Sequence, residues 1–539
     1  MATQSAAAAD PSALTVARDS ALSLPLGLNN SSVNEPSVGT RGDAIFQTGN
    51  WYAAKSLDNG TTWTYVNPYS TFPTTGAFAA GFCCDQRVTQ DSSRGLIMWY
   101  LQYLRTGTGP TDQNGVRLAV TTATGLAPWT YYDITPANCN FPLGKWFDFP
   151  HLQTSTNYLY LTSNVFDTSA GGTTAPTHAV IARMSLAELA AGVSLSSFTC
   201  FSQSRFFGIS TVSGATSTMY FGAVDTTTSI AVLTWPEADS TPSVPLAANV
   251  TGLATTNVGA SFTCPVPVSA LDPCGRSDAR METGWITGSE LGFMWNSGLG
   301  TSRPYPFVRT AILNASTLAV TSQPDMFSTT SAFLYPTVAV DARGHIAGEV
   351  SALGGTKYTE TYVFIRDDLS PDPATMGWQV FQVDVGDAGT DKRWGDYSGI
   401  VQHDKYPNTF VAVGHVQVGG PANANVVAHN IWFGRSRDVG GLLACTTTSF
   451  TAVPASPQAA GTPVTFTATA SGCTTPQFKY WILPPGGSWT VARDWGPAVF
   501  AWTTTGLAAG TYRVTVYARA TGSTADYEAY GAGSYDLTP

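Results

Sequence analysis

Charge is scarce in this chain. Of its 539 residues only 12% are Asp, Glu, Lys or Arg, about half the share of roughly 25% in an ordinary globular protein. The few charges sum to -10, which argues against the basic face that nucleic acid requires and against docking on anionic membranes. Long apolar runs are missing too. None approaches the roughly 18 residues of a membrane-spanning helix, so no membrane insertion is expected. The opening "MATQSAAAADPSALTVARDS" has neither a basic n-region nor an apolar h-region, so it does not read as an intact signal peptide. No two cysteines form C-x-x-C, which removes the usual zinc-ribbon and thioredoxin-like signals. The six histidines form no H-x-H or H-E-x-x-H pair, so zinc is not expected. No G-x-S-x-G hydrolase elbow occurs. Helical periodicity is almost absent; the best candidate is "MSLAELAAG", Met184–Gly192.

What is present is strand. Aromatic and β-branched residues are abundant and turn residues recur throughout, which marks an all-β chain. Seven short segments share one shape: "NEPSV" (34–38), "CDQRV" (84–88), "DFPHL" (148–152), "RFFGI" (205–209), "SDARM" (277–281), "LYPTV" (334–338) and "DYSGI" (396–400). Each ends in an apolar residue, and strand-like stretches such as "GLIMWYLQY" and "TFVAVGHV" follow. Their second positions lie 50, 64, 57, 72, 57 and 62 residues apart, about what a four-stranded blade with its loops needs. Repeats of this period predict a seven-bladed β-propeller over residues 28–440. Residues 1–27 form an N-terminal segment in which "ALTVAR" (13–18) is expected to complete the last blade.

The stretch "SLDNGTTW" places Ser56, Asp58, Gly60 and Trp63 in an S-x-D-x-G-x-x-W pattern. Asp58 suits a turn that it can hydrogen-bond, and Gly60 suits a backbone conformation other residues resist. With the seven segments, this resembles the Asp-box (BNR) repeat of the sialidase-like propeller superfamily. There the box marks the fold and lies away from the active site. Sialidase chemistry itself would need a Tyr nucleophile, a Glu partner and three arginines. The family's early Arg-Ile-Pro motif is absent here, and only two inner-strand arginines are clear. After about residue 440 the texture changes to alternating Thr, Val and Ala with "GTYRVTVYARA" as a clear strand. Residues 441–539 therefore read as a small immunoglobulin-like β-sandwich, similar to the accessory modules of secreted bacterial enzymes. Tyr480, Trp481, Trp489 and Trp495 would form a glycan-stacking face there, or else pack the sandwich.

Inner strands of a propeller line its channel, and side chains alternate along them with period two. The second and fourth residues of each segment are then channel candidates: Glu35 and Ser37, Asp85 and Arg87, Phe149 and His151, Phe206 and Gly208, Asp278 and Arg280, Tyr335 and Thr337, Tyr397 and Gly399. In a chain with so few charges this set is notably polar. Three readings follow. In the first, Arg87 or Arg280 neutralises the carboxylate of a uronic-acid polysaccharide, and Tyr335, Tyr397 or His151 removes a proton for β-elimination. In the second, Glu35, Asp85 and Asp278 supply the two carboxyls of a glycoside hydrolase. In the third the propeller only binds glycan. An exported protein acting on an extracellular, acidic polysaccharide or glycoconjugate fits the first two. No cofactor is called for. "DVGDAGTDKRWGD" (384–396) suits a calcium loop or a solvated turn. The "RGD" at 41–43 reads as chance. Eight cysteines, an even number, fit an oxidising compartment. Cys264 is expected to pair with Cys274, and Cys445 with Cys473. Cys83 and Cys84 either bond to each other or reach Cys139 and Cys200.

Overall fold

The computed structural model describes residues 12–22, 33–168, 175–243, 246–249, 262–264, 272–275, 277–298, 302–387, 394–419, 425–439, 444–473, 476–520, 523 and 525–539. Most of the N-terminal segment and residues 388–393 of the suggested calcium loop thus lie outside the described residues. The chain is all-β and divides into two compact units, Arg18–Trp432 and a second made of 1–17 with 433–539. Both divisions fall inside strands, so the compact units do not coincide with boundaries at 28 and 441. The expected helix forms at Leu186–Ala191, where the Ser185 side chain accepts from the Glu188 amide and Gly192 ends it in the left-handed region. Among the described residues no helix is long and apolar enough to cross a membrane.

The larger unit is built of four-stranded antiparallel quartets. Their first strands are Ser37–Arg41, Phe82–Asp91, Lys145–Thr154, Ser210–Ser213, Met281–Thr287, Ala332–Val340 and Gly399–Gln402. The fourth and fifth quartets are joined into one eight-stranded sheet by parallel pairing of Ser210–Ser213 with Met281–Thr287. Each first strand lies beside the next, and that of the seventh quartet lies beside that of the first, so the series closes on itself. The outermost strand of the seventh quartet is Leu14–Leu22, which pairs with Asn425–Arg435.

Packing between quartets explains the strand composition. Leu96–Tyr103 is buried at every position, as expected of a strand covered on both faces. Trp99 meets Phe46 of the first quartet edge-on at 4.9 Å. Tyr160 meets Phe221 and Trp235 at 5.7 and 5.8 Å, and Trp378 packs on Trp285 and Phe364. Burying one such aromatic contributes on the order of 2 kcal/mol. The Ser56–Trp63 turn has the bonding its sequence suggests. Ser56 Oγ accepts from the Gly60 amide at 2.8 Å and donates to Asp58 Oδ1 at 2.8 Å. Asp58 in turn accepts from the Thr62 amide at 2.8 Å. Gly60 has φ +83°, and its carbonyl accepts from Ser20 Oγ of the outermost strand at 2.6 Å.

That strand has a second tether. His429 Nδ1 lies 2.9 Å from Asp19 Oδ1 and 3.0 Å from Asp384 Oδ1. Burial alone would lower the imidazole pKa, but the two carboxylates outweigh it and push it up to about 9. A raised pKa means that the folded state holds the proton more tightly than the unfolded chain. The resulting stability is complete below the ordinary value of about 6.5 and is lost as pH rises through about 9. His429→Gln should therefore lower the melting temperature at pH 6 and leave it almost unchanged at pH 9.5. Equal losses at both pH values in a thermal-unfolding series would contradict this.

The smaller unit carries two sheets. Thr447–Val453, Val464–Ser471 and Val499–Trp502 form one; Gln458–Ala459, Ala529–Thr538, Gly510–Ala520, Pro476–Leu483 and Thr490–Gly496 form the other. Phe466, Tyr480, Trp502, Tyr512, Val514, Val516 and Tyr535 belong to their common core. The four disulfides are Cys83–Cys84, Cys139–Cys200, Cys264–Cys274 and Cys445–Cys473. Both expected pairs form, and the open choice resolves to a bond between neighbours plus Cys139–Cys200.

Candidate functional site

The entry to several first strands breaks the simple alternation. Glu35, Phe149 and Tyr335, each just before a proline, have φ of 49°, 57° and 59°, and Gly208 holds the matching place at 59°. Non-glycine residues rarely adopt this region. Pairing slips at the same points, between Asp148 and His151 and between Leu334 and Thr337. Each slip is a β-bulge, which re-aims the side chains around it. Asparagines of the preceding quartet brace the turn: Asn164 Oδ1 accepts from the Gly208 amide at 2.9 Å, and Asn296 Oδ1 accepts from the Tyr335 amide at 2.8 Å.

Because of the bulges, the residues two places further on line the central cavity. It has about 60 Å³ of free volume, and every one of the seven first strands or its lead-in contributes, including Ser37, Arg87, His151, Ser210, Glu282, Thr337 and Tyr397. Of the expected channel set, Ser37, Arg87, His151, Thr337, Tyr397 and Gly399 line it; Glu35, Asp85, Phe149, Phe206, Gly208, Asp278, Arg280 and Tyr335 do not. For Phe206, Gly208, Asp278 and Arg280 the reason is where the strands begin. Regular pairing starts only at Ser210 and Met281, so these four precede it.

Arg87 is the cation of the cavity. Its guanidinium lies 3.4 Å from the centre of the Tyr397 ring. Nε donates to the Pro150 carbonyl at 2.9 Å, and Nη1 donates to the Ser398 carbonyl at 3.2 Å. His151 is buried, with Nε2 free of any hydrogen-bond partner. Burial, then the nearby charges of Arg87 and Arg280, holds its pKa well below 6.5, so the ring is neutral. Glu282 accepts from Asn296 Nδ2 on Oε1 at 2.7 Å, and its Oε2 has no partner. Burial pushes this carboxyl well above the usual carboxylate range. Asn296 thus holds both Glu282 and the Tyr335 amide. The tyrosines are already engaged. Tyr397 donates to the Gln86 carbonyl at 3.3 Å, and the Tyr335 hydroxyl bonds that of Ser277. Burial raises both phenols above their ordinary values.

Two residues before Glu282, Arg280 binds Asp278 at 2.7 Å and lies 3.7 Å from Asp396. Its guanidinium sits 4.4 Å from the centre of the Phe149 ring. Burial acts to lower the Arg280 pKa, and Asp396 and Asp278 more than offset this, so it stands above the ordinary value. Arg280, Asp278 and Asp396 keep 26%, 20% and 17% of their side-chain surface exposed, whereas Glu282 and His151 are 8% and 5% exposed as residues. Gly208 makes room for the Arg280 side chain, because a Cβ there would lie 2.8 Å from Arg280 Cγ. Glu35 and Asp85 are buried in the wall, where their charges act on Arg87 and Tyr397.

Sequence reasoning missed four carboxyls. Glu282 continues the 278–280 parity by one more step. Asp148 and Asp396 are the first residues of their quoted segments; burial raises Asp148, against an opposing bond from Gln102. Glu349 receives a hydrogen bond from Ser398 Oγ and is pushed up to about 8 by burial; it lies on a second strand and no inner-strand pattern points to it. Metal-like groupings among the described residues lie elsewhere, at Asp19–Asp384–His429 and His345–Asp367–Asp368. A third, Cys264–Asp272–Cys274, has both sulfurs in a disulfide.

No protein-family model matches the chain, and no curated protein matches it. Among solved structures, it is similar to a protein of unknown function from Dyadobacter fermentans at 13% identity and TM-score 0.36, covering 78% of this chain and 98% of that one. It is also similar to the Trypanosoma rangeli sialidase in complex with the inhibitor DANA, at 8% identity and TM-score 0.35, covering 97% and 93%. A third is the xylan β-1,4-xylosidase from Bacillus halodurans, at 10% identity and TM-score 0.30, covering 95% and 92%. These likenesses are slight.

Proposed function

We propose that the seven quartets form a β-propeller of the sialidase-like kind, followed by an immunoglobulin-like sandwich, in an exported protein that cleaves an acidic extracellular polysaccharide by β-elimination. One observation carries the reaction: Arg87, His151 and Glu282 line the same cavity, the last two each with a free polar atom, and burial lowers the pKa of His151 and raises that of Glu282. Those are the three parts the chemistry needs. Arg87 neutralises the uronate and acidifies the adjacent C–H. His151 Nε2 takes that proton. The electron pair forms the C=C bond as the C–O bond breaks, and Glu282 protonates the leaving oxygen. Tyr335 and Tyr397 are poorer bases here, since their hydroxyls are bonded and their pKa values raised. Glycoside hydrolysis would need a second carboxyl. Glu282 is the one carboxyl among the described residues that line the cavity, while Asp278 and Asp396 are held by Arg280. Four disulfides support an oxidising, extracellular setting.

The small free volume favours a second reading, a propeller that binds glycan without cutting it. A chain cannot thread this cavity; a polymer would present only the edge of one sugar. Incubation with a panel of acidic and neutral polysaccharides separates the readings. Elimination should give ultraviolet absorbance of unsaturated uronates together with new reducing ends. Reducing ends without absorbance would reject elimination for hydrolysis. Neither signal, with glycan retained, would leave the binder.

A further inference from the structure

The outer face of the five-stranded sheet in the C-terminal unit carries aromatics that its core does not need. Along Pro476–Leu483 the even positions Phe478, Tyr480 and Ile482 are buried in the core, so the expected surface role of Tyr480 is corrected. Trp481 points the other way, beside Thr515 in the pairing, and Tyr517 pairs with Tyr530 on the next strand. Trp489 and Tyr527 join from the adjoining turns. Trp495 is not part of this group; the Arg519 guanidinium covers it at 4.2 Å. Together Trp481, Trp489, Thr515, Tyr517, Tyr527 and Tyr530 line an open cleft of about 390 Å³.

The rings are arranged as walls and floor. Tyr517 and Tyr527 stack at 4.4 Å and 29°, Trp481 lies 6.0 Å from Tyr517 at 55°, and Tyr530 stands at 90° to Tyr527. Trp489, Tyr527 and Tyr530 are 43%, 45% and 60% exposed. An exposed apolar cluster on an outward sheet face marks a binding surface. Three features select the ligand. Among the described residues none that lines the cleft is charged, and Lys479, whose Nζ lies 5.3 Å from the centre of the Trp481 ring, is already paired with Asp494 at 3.0 Å, so the cleft does not seek a uronate. The rings have polar tips, and Trp481 Nε1 is a buried donor without a partner, so the ligand carries acceptors beside its apolar face. The chain's net charge of -10 disfavours nucleobases on a phosphate backbone. We infer that this cleft binds a neutral pyranose unit of a glycan, stacking the C–H face of the sugar on the rings and its hydroxyls on the tyrosine and tryptophan tips. The site stands independently of the channel.

The test uses the full chain and a panel of insoluble xylan, cellulose and chitin, with pectate as the acidic comparison. Wild-type protein should be retained on at least one neutral glycan. Trp489→Ala and Tyr530→Ala should each weaken retention about tenfold, the order seen for loss of one stacked ring, with unchanged melting temperatures. Trp489→Phe should restore most of it, and Glu282→Gln should leave it unaltered. The inference is overturned if no neutral glycan is retained, if both alanine variants bind as well as wild type, or if they abolish only self-association in light scattering.

Discussion

Glu282→Gln is expected to lower the rate of polysaccharide cleavage by about two to four orders of magnitude, the range for removing a positioned general acid. Gln keeps the shape and can still accept from Asn296 Nδ2, now 2.7 Å from Glu282 Oε1, but it has no proton to give. Burial raises the pKa of this carboxyl, so its ionisation favours the unfolded chain once pH exceeds the ordinary value of about 4.3; the exchange should cost little stability in acid and add some increasingly above that value. That separates a chemical loss from a folding loss. The pH profile follows from the same pair. His151 must be neutral, and its pKa is held well below 6.5, so activity should persist below the usual histidine limb. Glu282 must be protonated, and its pKa is raised, so the alkaline limb belongs to it and should vanish in the residual activity of the Gln variant. A Gln variant within threefold of wild type, measured by uronate absorbance, would remove Glu282 from the reaction.

The largest expected effect on stability comes from the Cys139–Cys200 bridge. It spans 61 residues of sequence and ties the turn before the third quartet to that quartet's last strand. In the chain-entropy account a loop of this size is worth about 4 kcal/mol. Cys139 is also buried in the core of Leu118, Phe147 and Leu159, so the cavity left by truncation adds to the loss. Cys139→Ala should thus lower the urea midpoint strongly. Cys83–Cys84, with a separation of 1, closes almost no loop, and Cys83→Ala should shift it little. Equal shifts in the two variants would contradict the entropic origin.

Much of this architecture is legible in the amino acids, and the limit is geometric. Seven lead-in segments stand out because each ends in an apolar residue that a strand follows, three times after a proline. The channel register is harder. Period-two counting assumes an unbroken strand, and the residues before Pro36, Pro150 and Pro336 take positive φ, which resets the count. Glu282 escapes for a related reason: the segment "SDARM" ends where the strand begins, at Met281. Parity does work where no bulge intervenes. It separates Tyr480, inside, from Trp481, outside, as strictly as any pair in the chain. The choice between a Cys83–Cys84 bond and longer pairings could not come from spacing, because connectivity is a property of the folded neighbourhood.

The strand Leu14–Leu22 has a consequence for how the protein is made. It leaves the ribosome before every other described strand of the larger unit, yet its partner Asn425–Arg435 is the last of them to appear. During most of translation this segment therefore has nothing to pair with, and the growing arc of quartets keeps two uncovered flanks. The nascent chain must stay unaggregated through that interval, and the charged pair Arg18–Asp19 at the middle of Leu14–Leu22, "LTVARDSAL", suits a strand that has to wait in water.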